Sequence, residues 1–123
     1  MNVAVLGASA KPERYSYRAV ADLMAHGHNV YPVHPALTEL QGLSVYPSLS
    51  HIEAPLHTVT VYVSPKHADT IRDDLLSVAA ERVIFNPGAE NPELAAALRR
   101  EGVRVQEACT LVLLATGQFE QTG

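Results

Sequence analysis

Several residue types are scarce in this chain of 123 residues, and each scarcity excludes a class of protein. The single cysteine, Cys109, excludes an intrachain disulfide and suits a reducing cytoplasm. The nine lysines and arginines are scattered and stand against thirteen acidic residues, so we expect no nucleic-acid surface. The longest apolar run, Leu111–Ala115, is far too short to span a bilayer, and no basic segment precedes the apolar start. We therefore expect neither a membrane segment nor a signal peptide, and a cytoplasmic location.

Strand and helix patterns alternate along the whole chain. Runs rich in β-branched residues predict five strands, which begin at Asn2, Asn29, Thr58, Arg82 and Val103. Apolar residues at helical spacing predict helices over Tyr17–His26, from Pro65 to Ala79 and from Pro92 to Gly102, with a short last helix between Glu107 and Gly117. This alternation predicts one α/β domain over residues 1–123, with a mainly parallel five-stranded sheet and helices on both faces.

The turn after the first strand, from Gly7 to Ser16, has features of a phosphate-binding turn. Gly7 permits close approach of a phosphate to the backbone, and the start of the next helix offers free N–H groups. Ser9 and Ser16 add hydroxyl donors, while Lys11 and Arg14 add positive charge. The alternative is a plain polar turn with two solvated cations. Because Gly7 is the only glycine in this turn, the complete dinucleotide fingerprint G-x-G-x-x-G is absent.

Proline or glycine also follows the next three predicted strands, in the segments Val33-His34-Pro35, Val63-Ser64-Pro65 and Asn86-Pro87-Gly88. Ligands of open parallel sheets bind outside the carboxyl ends of the strands, so these segments and the first turn form the predicted binding edge. The second strand ends without the acid that would hold the ribose of a nicotinamide dinucleotide, and Glu39 is not at a strand end. This pattern disfavours NAD(P) as the ligand.

Five stretches of the chain, taken in order, resemble one known family. They are VAVLGASAKPERYSYRAV, GHNVYPVHP, TVYVSP, RVIFNPGAENPEL and VQEACTLVL. Their order and spacing are similar to those of the small stand-alone CoA-binding proteins and of the N-terminal, CoA-binding domain of the succinyl-CoA synthetase alpha subunit. The resemblance implies a Rossmann-like fold with coenzyme A across the strand ends.

The resemblance also implies which residues contact the ligand. The phosphates would be held by Gly7, Ala8, Ser9, Lys11, Arg14 and Ser16. The nucleotide end would be flanked by Val33, His34 and Pro35, and the crevice wall would be lined by Val63, Ser64 and Pro65. The pantetheine arm would run towards Asn86, Pro87 and Gly88.

Two positions depart from the pattern of that family. Ala36 stands where the family often has lysine, and Ser64 stands just after the third strand, where many members have arginine. Both departures remove a positive charge that could meet a CoA phosphate, and Lys66 could compensate. The second alpha domain and the beta subunit that the synthetase needs do not fit in 123 residues. The resemblance therefore implies binding of CoA or an acyl-CoA without catalysis, as in a sensor, carrier or regulatory subunit.

Alternative interpretations of individual residues remain open. Cys109 is either a small buried apolar residue or the thiol of a redox switch, and an NAD(P)-binding oxidoreductase is a third function. The six histidines form no metal-binding motif, so we expect no metal site, and only His34 lies at a predicted ligand-facing strand end.

Other side chains near the binding edge have ordinary structural interpretations. Asp69, Asp73 and Asp74 are expected on a solvated helix face, and Tyr15 and Tyr17 either stack on adenine or cover the first helix. A homo-oligomer or an unidentified protein partner is also compatible with the sequence.

Overall fold

The computed structural model describes residues 1–120 and contains a five-stranded sheet flanked by helices. The strands are β1 (Asn2–Leu6), β2 (Asn29–Val33), β3 (Glu39–Leu40), β4 (Leu43–Ser44), β5 (Thr58–Val61), β6 (Arg82–Phe85) and β7 (Arg104–Glu107). The helices are α1 (Tyr15–Ala25), α2 (Arg72–Ser77), α3 (Pro92–Arg100) and α4 (Thr110–Ala115), with 3-10 turns at Leu49–His51 and Pro65–Thr70. The sheet has the order β2-β1-β5-β6-β7, and its neighbouring strands are parallel. The predicted α/β fold is confirmed.

Helices cover both faces of the sheet, as predicted. Leu75 of α2 and Leu98 of α3 belong to the core on one face. Leu23 of α1 and Leu113 of α4 belong to the core on the other face. Within residues 1–120, no helix is long and apolar enough to cross a membrane. Because both faces are covered, β5 and β6 are buried along their whole length, and their polar residues Thr58, Thr60 and Arg82 are hydrogen-bonded inside the fold.

Three element boundaries differ from the predicted ones for local reasons. Helix α1 begins at Tyr15 rather than Tyr17, directly after the extended residue Arg14 (ψ 144°). The single helix predicted from Pro65 is a 3-10 turn followed by the short α2, and Ile71 (φ −117°) separates the two. Strand β7 begins after Val103, whose N–H instead donates to the carbonyl of Leu98 and closes α3 (3.1 Å).

A small hairpin, β3–β4, occupies the segment where the sequence indicated only a loop. Gln41 (φ 51°) and Gly42 (φ 81°) both have positive φ, as the two central residues of a tight hairpin turn require. After the hairpin, the N–H of Tyr46 donates to the carbonyl of Pro32 at 2.9 Å, and Tyr46 bridges to Val33 in parallel register. These bonds bring the following residues alongside the carboxyl end of β2.

The strand order places a topological switch point between β1 and β5. The chain leaves β1 to form β2 on one side, and it returns to form β5 on the other side. Connections that diverge in this way open a crevice at the carboxyl ends of the two central strands, where doubly wound folds bind their ligands. The fold therefore places the carboxyl ends of β1 and β5 at the centre of a candidate site.

A buried cation, Arg82, lies at the opposite edge of the sheet, where the strands begin. Arg82, at the amino end of β6, donates from Nε to Oγ1 of Thr58 (2.9 Å) and from Nη1 to the carbonyl of Phe119 (2.7 Å). Its guanidinium also lies 4.5 Å from the centroid of the Phe119 ring. Burial, followed by the nearby charge of Arg104, lowers the pKa of Arg82 to about 10. Arg82 thus holds the segment after α4 against the amino edge, away from the crevice.

Candidate functional site

Gly7 stands at the switch point, and the structure shows why this position suits glycine. Its φ is +89°, a conformation that L side chains rarely adopt. A Cβ atom there would lie 3.1 Å from Cγ2 of Val63 and 3.2 Å from the carbonyl carbon of Tyr62. The ends of β1 and β5 thus approach each other closely, and backbone rather than side chain forms the floor of the crevice.

The turn between β1 and α1 borders a cleft of about 390 Å³, here named the loop cleft. It is lined by Gly7, Ala8, Ser9, Lys11, Arg14, Tyr15, Ser16, His34, Tyr62 and Pro87. The structure therefore brings together all six residues that the sequence assigned to the phosphates. Among the lining residues, only Lys11 and Arg14 carry an ammonium, guanidinium or carboxylate group, so the loop cleft is electropositive.

The start of α1 adds further donors to the loop cleft. No side chain caps this helix, and no acidic residue lies in its first turn. Its first N–H groups therefore remain available to an anion, and the helix dipole favours negative charge there. Ser9 accepts a hydrogen bond from the N–H of Lys11 at 3.1 Å, which leaves the Ser9 hydroxyl proton free to be donated. Backbone, hydroxyl and cationic donors thus converge on one cleft.

His34 lines the same cleft, with its orientation fixed by the backbone. Its Nδ1 accepts hydrogen bonds from the N–H groups of Ala36 (3.0 Å) and Leu37 (3.1 Å). Because Nδ1 accepts, the proton of the neutral ring lies on Nε2, which is then a hydrogen-bond donor. His34 can therefore donate to a phosphate oxygen without carrying a charge.

A second cleft, of about 350 Å³, lies beside the carboxyl ends of β2 and β5 and is here named the β2–β5 cleft. It shares Gly7 with the loop cleft and contains three other predicted residues, Val33, Pro35 and Val63. Sequence reasoning missed the rest of its lining, which is Leu6, Pro47, Ser48, Leu49, Thr70, Ile71 and Asp74. Asp74 was expected on a solvated helix face, but it is only partly exposed and lines this cleft.

A third cleft, of about 380 Å³, lies on the other side of the loop cleft and is here named the α4 cleft. Its lining is Tyr15, Tyr62, Asn86, Pro87, Cys109, Leu111 and Val112. It shares Tyr15, Tyr62 and Pro87 with the loop cleft, which shares Gly7 with the β2–β5 cleft, so the three clefts adjoin along the carboxyl edge and are together called the groove. Cys109 is partly exposed in this cleft rather than fully buried.

Asn86 is fully buried, and its side chain is committed to the protein. Both amide protons are donated, one to Oγ1 of Thr60 (2.7 Å) and one to the carbonyl of Val61 (2.9 Å). Its Oδ1 accepts from the N–H of Thr110 (2.8 Å). Asn86 therefore ties β5, β6 and the start of α4 together beneath the α4 cleft, and it shapes this cleft rather than offering it a donor.

Tyr62 forms part of the wall between the loop cleft and the α4 cleft. Its hydroxyl is buried and has no hydrogen-bond partner among residues 1–120. The hydroxyls of Thr60 and Thr110 lie near enough to favour the phenolate slightly, but they bond each other at 2.8 Å and not Tyr62. Burial outweighs them and raises the pKa of Tyr62 to about 12, so the side chain is neutral in the physiological range.

Three predicted residues lie outside this groove. Pro65 borders a separate shallow hollow with Arg72 and Glu93, while Ser64 and Gly88 line none of the three clefts. Lys66, the suggested compensating cation, is exposed and lines none of them either. The cationic part of the groove therefore consists of Lys11 and Arg14.

Tyr15 and Tyr17, which the sequence treated alike, have different surroundings. Tyr15 is 66% exposed and lines two clefts, whereas Tyr17 packs against the core under α1. Within residues 1–120, no group of three or more histidine, cysteine, aspartate or glutamate side chains is arranged to hold a metal ion.

Comparisons with known proteins agree with this geometry. The sequence profile of the family described as a CoA-binding domain matches residues 1–115. Among curated proteins, the chain is 26% identical to YneT of Bacillus subtilis (strain 168) over 100 residues, which is 81% of this chain and 74% of YneT.

Solved structures show the same fold. An uncharacterized protein has 35% identity and a TM-score of 0.86, over 96% of this chain and 97% of that one. A hypothetical protein from Pyrococcus horikoshii OT3 has 30% identity and a TM-score of 0.84, over 89% and 78%. The dinucleotide-forming acetyl-coenzyme A synthetase 1 of Ca. Korarchaeum cryptofilum has 25% identity and a TM-score of 0.75, over 87% of this chain but only 25% of the synthetase. With its fold, its groove and a match along nearly the whole sequence, this chain belongs to the family of CoA-binding domains.

Proposed function

We propose that this protein binds coenzyme A along the carboxyl edge of its sheet and does not itself catalyse a reaction. The observation that supports this best is the adjacency of three chemically different clefts across the switch point. The central one offers cations, hydroxyls and free helix N–H groups. CoA has a matching order of parts, because its diphosphate lies between an adenosine and an uncharged pantetheine arm.

We assign one part of CoA to each cleft on the basis of its chemistry. The diphosphate fits the loop cleft, where Lys11, Arg14 and the start of α1 supply positive potential. The adenosine fits the β2–β5 cleft, whose walls include Val33, Ile71 and Pro35. The pantetheine arm then passes Pro87 and enters the α4 cleft, where Cys109 lies. The close approach at Gly7 supports this assignment, since a side chain there would fill the floor on which the diphosphate rests.

The charge balance sets an expectation for affinity. Ala36 and Ser64 supply no positive charge, Lys66 lies outside the groove, and Asp74 adds a negative charge to the proposed adenosine end. The 3′-phosphate of CoA therefore gains little from this chain, and the diphosphate contacts carry most of the electrostatic attraction. Binding should accordingly weaken steeply as salt rises.

Thermal unfolding with CoA, NAD⁺, NADP⁺ and ATP tests the proposal. A ligand that binds only the folded state stabilises it by about 2.7 kcal/mol at 100 times its dissociation constant, which is several degrees for a domain of this size. We expect a shift with CoA that is reduced in Lys11→Ala and in Arg14→Ala. Lys66→Ala is the matched control, because it removes an exposed lysine outside the groove.

The possible outcomes separate the candidate functions. A shift with NAD⁺ or NADP⁺ but not with CoA would overturn the proposal and favour an oxidoreductase. Equal losses in Lys11→Ala and Lys66→Ala would show that the loop cleft is not the phosphate site. Turnover of an acyl-CoA by the purified protein, lost in Arg14→Ala, would contradict the non-catalytic role.

The position of Cys109 favours a second candidate function, a thiol redox switch. Cys109 is partly exposed in the cleft that we assign to the pantetheine arm. Exchange with CoA disulfide would form a Cys109–CoA disulfide and release one molecule of CoA thiol. Intact mass measured after incubation with CoA disulfide would show this adduct, and Cys109→Ser would abolish it. An unmodified wild-type mass after incubation excludes the switch while leaving non-covalent binding intact.

A further inference from the structure

The two large apolar side chains that stand most exposed in residues 1–120 both line the α4 cleft. Tyr15, at the start of α1, is 66% exposed, and Val112, in the middle of α4, is 55% exposed. Their helices are far apart in sequence, and both side chains line the same cleft as Leu111 and Pro87. Exposed apolar side chains are ordinary when scattered, but their meeting in one concave site indicates a ligand or partner.

The side chains that line the α4 cleft offer an incoming group mostly apolar contact. None of its lining side chains is a lysine, arginine or carboxylate. The amide protons of Asn86 are already donated to Thr60 and Val61, and the hydroxyl of Tyr62 is buried. A charged group placed here would lose its hydration without meeting an oppositely charged side chain among the lining residues. The cleft is therefore suited to a hydrocarbon group.

The adjoining loop cleft indicates the source of that hydrocarbon. Tyr15, Tyr62 and Pro87 belong to both clefts, so the proposed phosphate site and the apolar one lie side by side. In the proposed function, the pantetheine arm enters the α4 cleft and its sulfur lies on the side of Cys109. Any group carried on that sulfur would extend over Leu111 and Val112.

We propose that the α4 cleft is an acyl-binding site, and that the preferred ligand of this protein is a CoA thioester with an apolar acyl chain rather than free CoA. This proposal rests on the proposed function and names its ligand class. Each methylene that leaves water contributes about 0.8 kcal/mol, which corresponds to about a fourfold gain in affinity. Because the cleft is open on one side, we expect about two- to fourfold per methylene until the cleft is filled.

Isothermal titration with CoA and with acetyl-, butyryl-, hexanoyl- and octanoyl-CoA, all in the presence of a reductant, tests the proposal. We expect affinity to rise from acetyl- to hexanoyl-CoA in the wild type. Val112→Gln should flatten this rise, since the amide would lie where the chain packs. Val112 is exposed, so the substitution should leave the fold intact, which circular dichroism checks. Ala115→Gln is the matched control: it adds the same side chain to the same helix at an exposed position outside the cleft, and it should keep the wild-type rise.

The remaining results overturn one proposal or the other. Equal affinity for CoA and every acyl-CoA, or affinity that falls with chain length, overturns the acyl site but leaves CoA binding standing. Failure of CoA and all of its thioesters to bind overturns the proposed function itself. If sedimentation shows a dimer that Val112→Gln dissociates and Ala115→Gln does not, a second copy of the chain covers this cleft, and the acyl proposal is wrong.

Discussion

Replacing Gly7 with alanine tests the geometry on which the whole site depends. Gly7 has a φ of +89°, and alanine costs about 1–2 kcal/mol in that region. The new Cβ would also lie 3.1 Å from Val63 and 3.2 Å from the backbone of Tyr62, so β1 and β5 must separate by a few tenths of an ångström. Inserting an atom into packed structure costs about 1–3 kcal/mol more. We therefore expect Gly7→Ala to lose about 2–5 kcal/mol of unfolding free energy.

Gly102→Ala isolates the contribution of the close approach. Gly102 has a similar φ of +83°, but a Cβ there meets no atom within 4 Å. This control should lose only the conformational cost, about 1–2 kcal/mol. Urea denaturation of both variants and the wild type measures the difference through the midpoint at constant m-value. Equal destabilisation of the two variants would refute the reasoning, because it would mean that the contacts with Val63 and Tyr62 do not constrain residue 7.

Three further substitutions test individual parts of the groove. Asn86→Ala should destabilise the protein by about 2–4 kcal/mol in urea denaturation, because it leaves the buried N–H of Thr110 without its acceptor and removes the amide hydrogen bonds to Thr60 and Val61; a loss below about 1 kcal/mol would contradict this. Tyr62 is neutral in the fold up to a pKa of about 12 and in the unfolded chain only up to 10.0, so its stabilising contribution is present below pH 10 and is lost as pH rises through 12. Between pH 9 and pH 11, the unfolding free energy of Tyr62→Phe should therefore fall by about 1.4 kcal/mol less than that of the wild type. An unchanged alkaline profile would show that Tyr62 does not titrate as described. Asp74→Asn removes the carboxylate of the β2–β5 cleft and should tighten CoA binding about fivefold at low salt, whereas no change in calorimetry would place the 3′-phosphate elsewhere.

Local sequence signals were sufficient for the parts of the site that one segment builds. Gly7, the two cations and the two serines of the first turn lie within ten residues, between a strand and a helix. A turn in that context can only lead the chain from the sheet edge into a helix, so its donors must gather at the helix start. The predicted strands could be located for a similar reason, since valine-rich runs bounded by glycine and proline are typical of the buried strands of an α/β chain.

Parts of the site that need two distant segments left no such signal. Pro47, Ser48 and Leu49 reach the β2–β5 cleft only because Tyr46 bonds to the edge of β2, and a single aromatic residue does not predict that pairing. Asp74 reaches the same cleft because the segment from Pro65 breaks into a 3-10 turn and a short helix, which changes the direction in which its face points. The periodicity of the sequence indicated one continuous helix, and on such a helix three nearby aspartates are expected to face solvent.

The residues shared between the clefts determine how a substitution at the switch point would affect the binding of a long ligand. Gly7 belongs to both the β2–β5 cleft and the loop cleft, and Tyr62 belongs to both the loop cleft and the α4 cleft. These residues follow neighbouring strands, so separating β1 from β5 shifts the three clefts relative to one another. A ligand that occupies one cleft keeps its contacts when that cleft moves as a unit. A ligand that spans all three clefts has a fixed length, so it loses contacts when the clefts move relative to one another. Gly7→Ala should therefore weaken the binding of CoA by a larger factor than the binding of adenosine. Equal losses of affinity would mean that CoA does not extend beyond a single cleft.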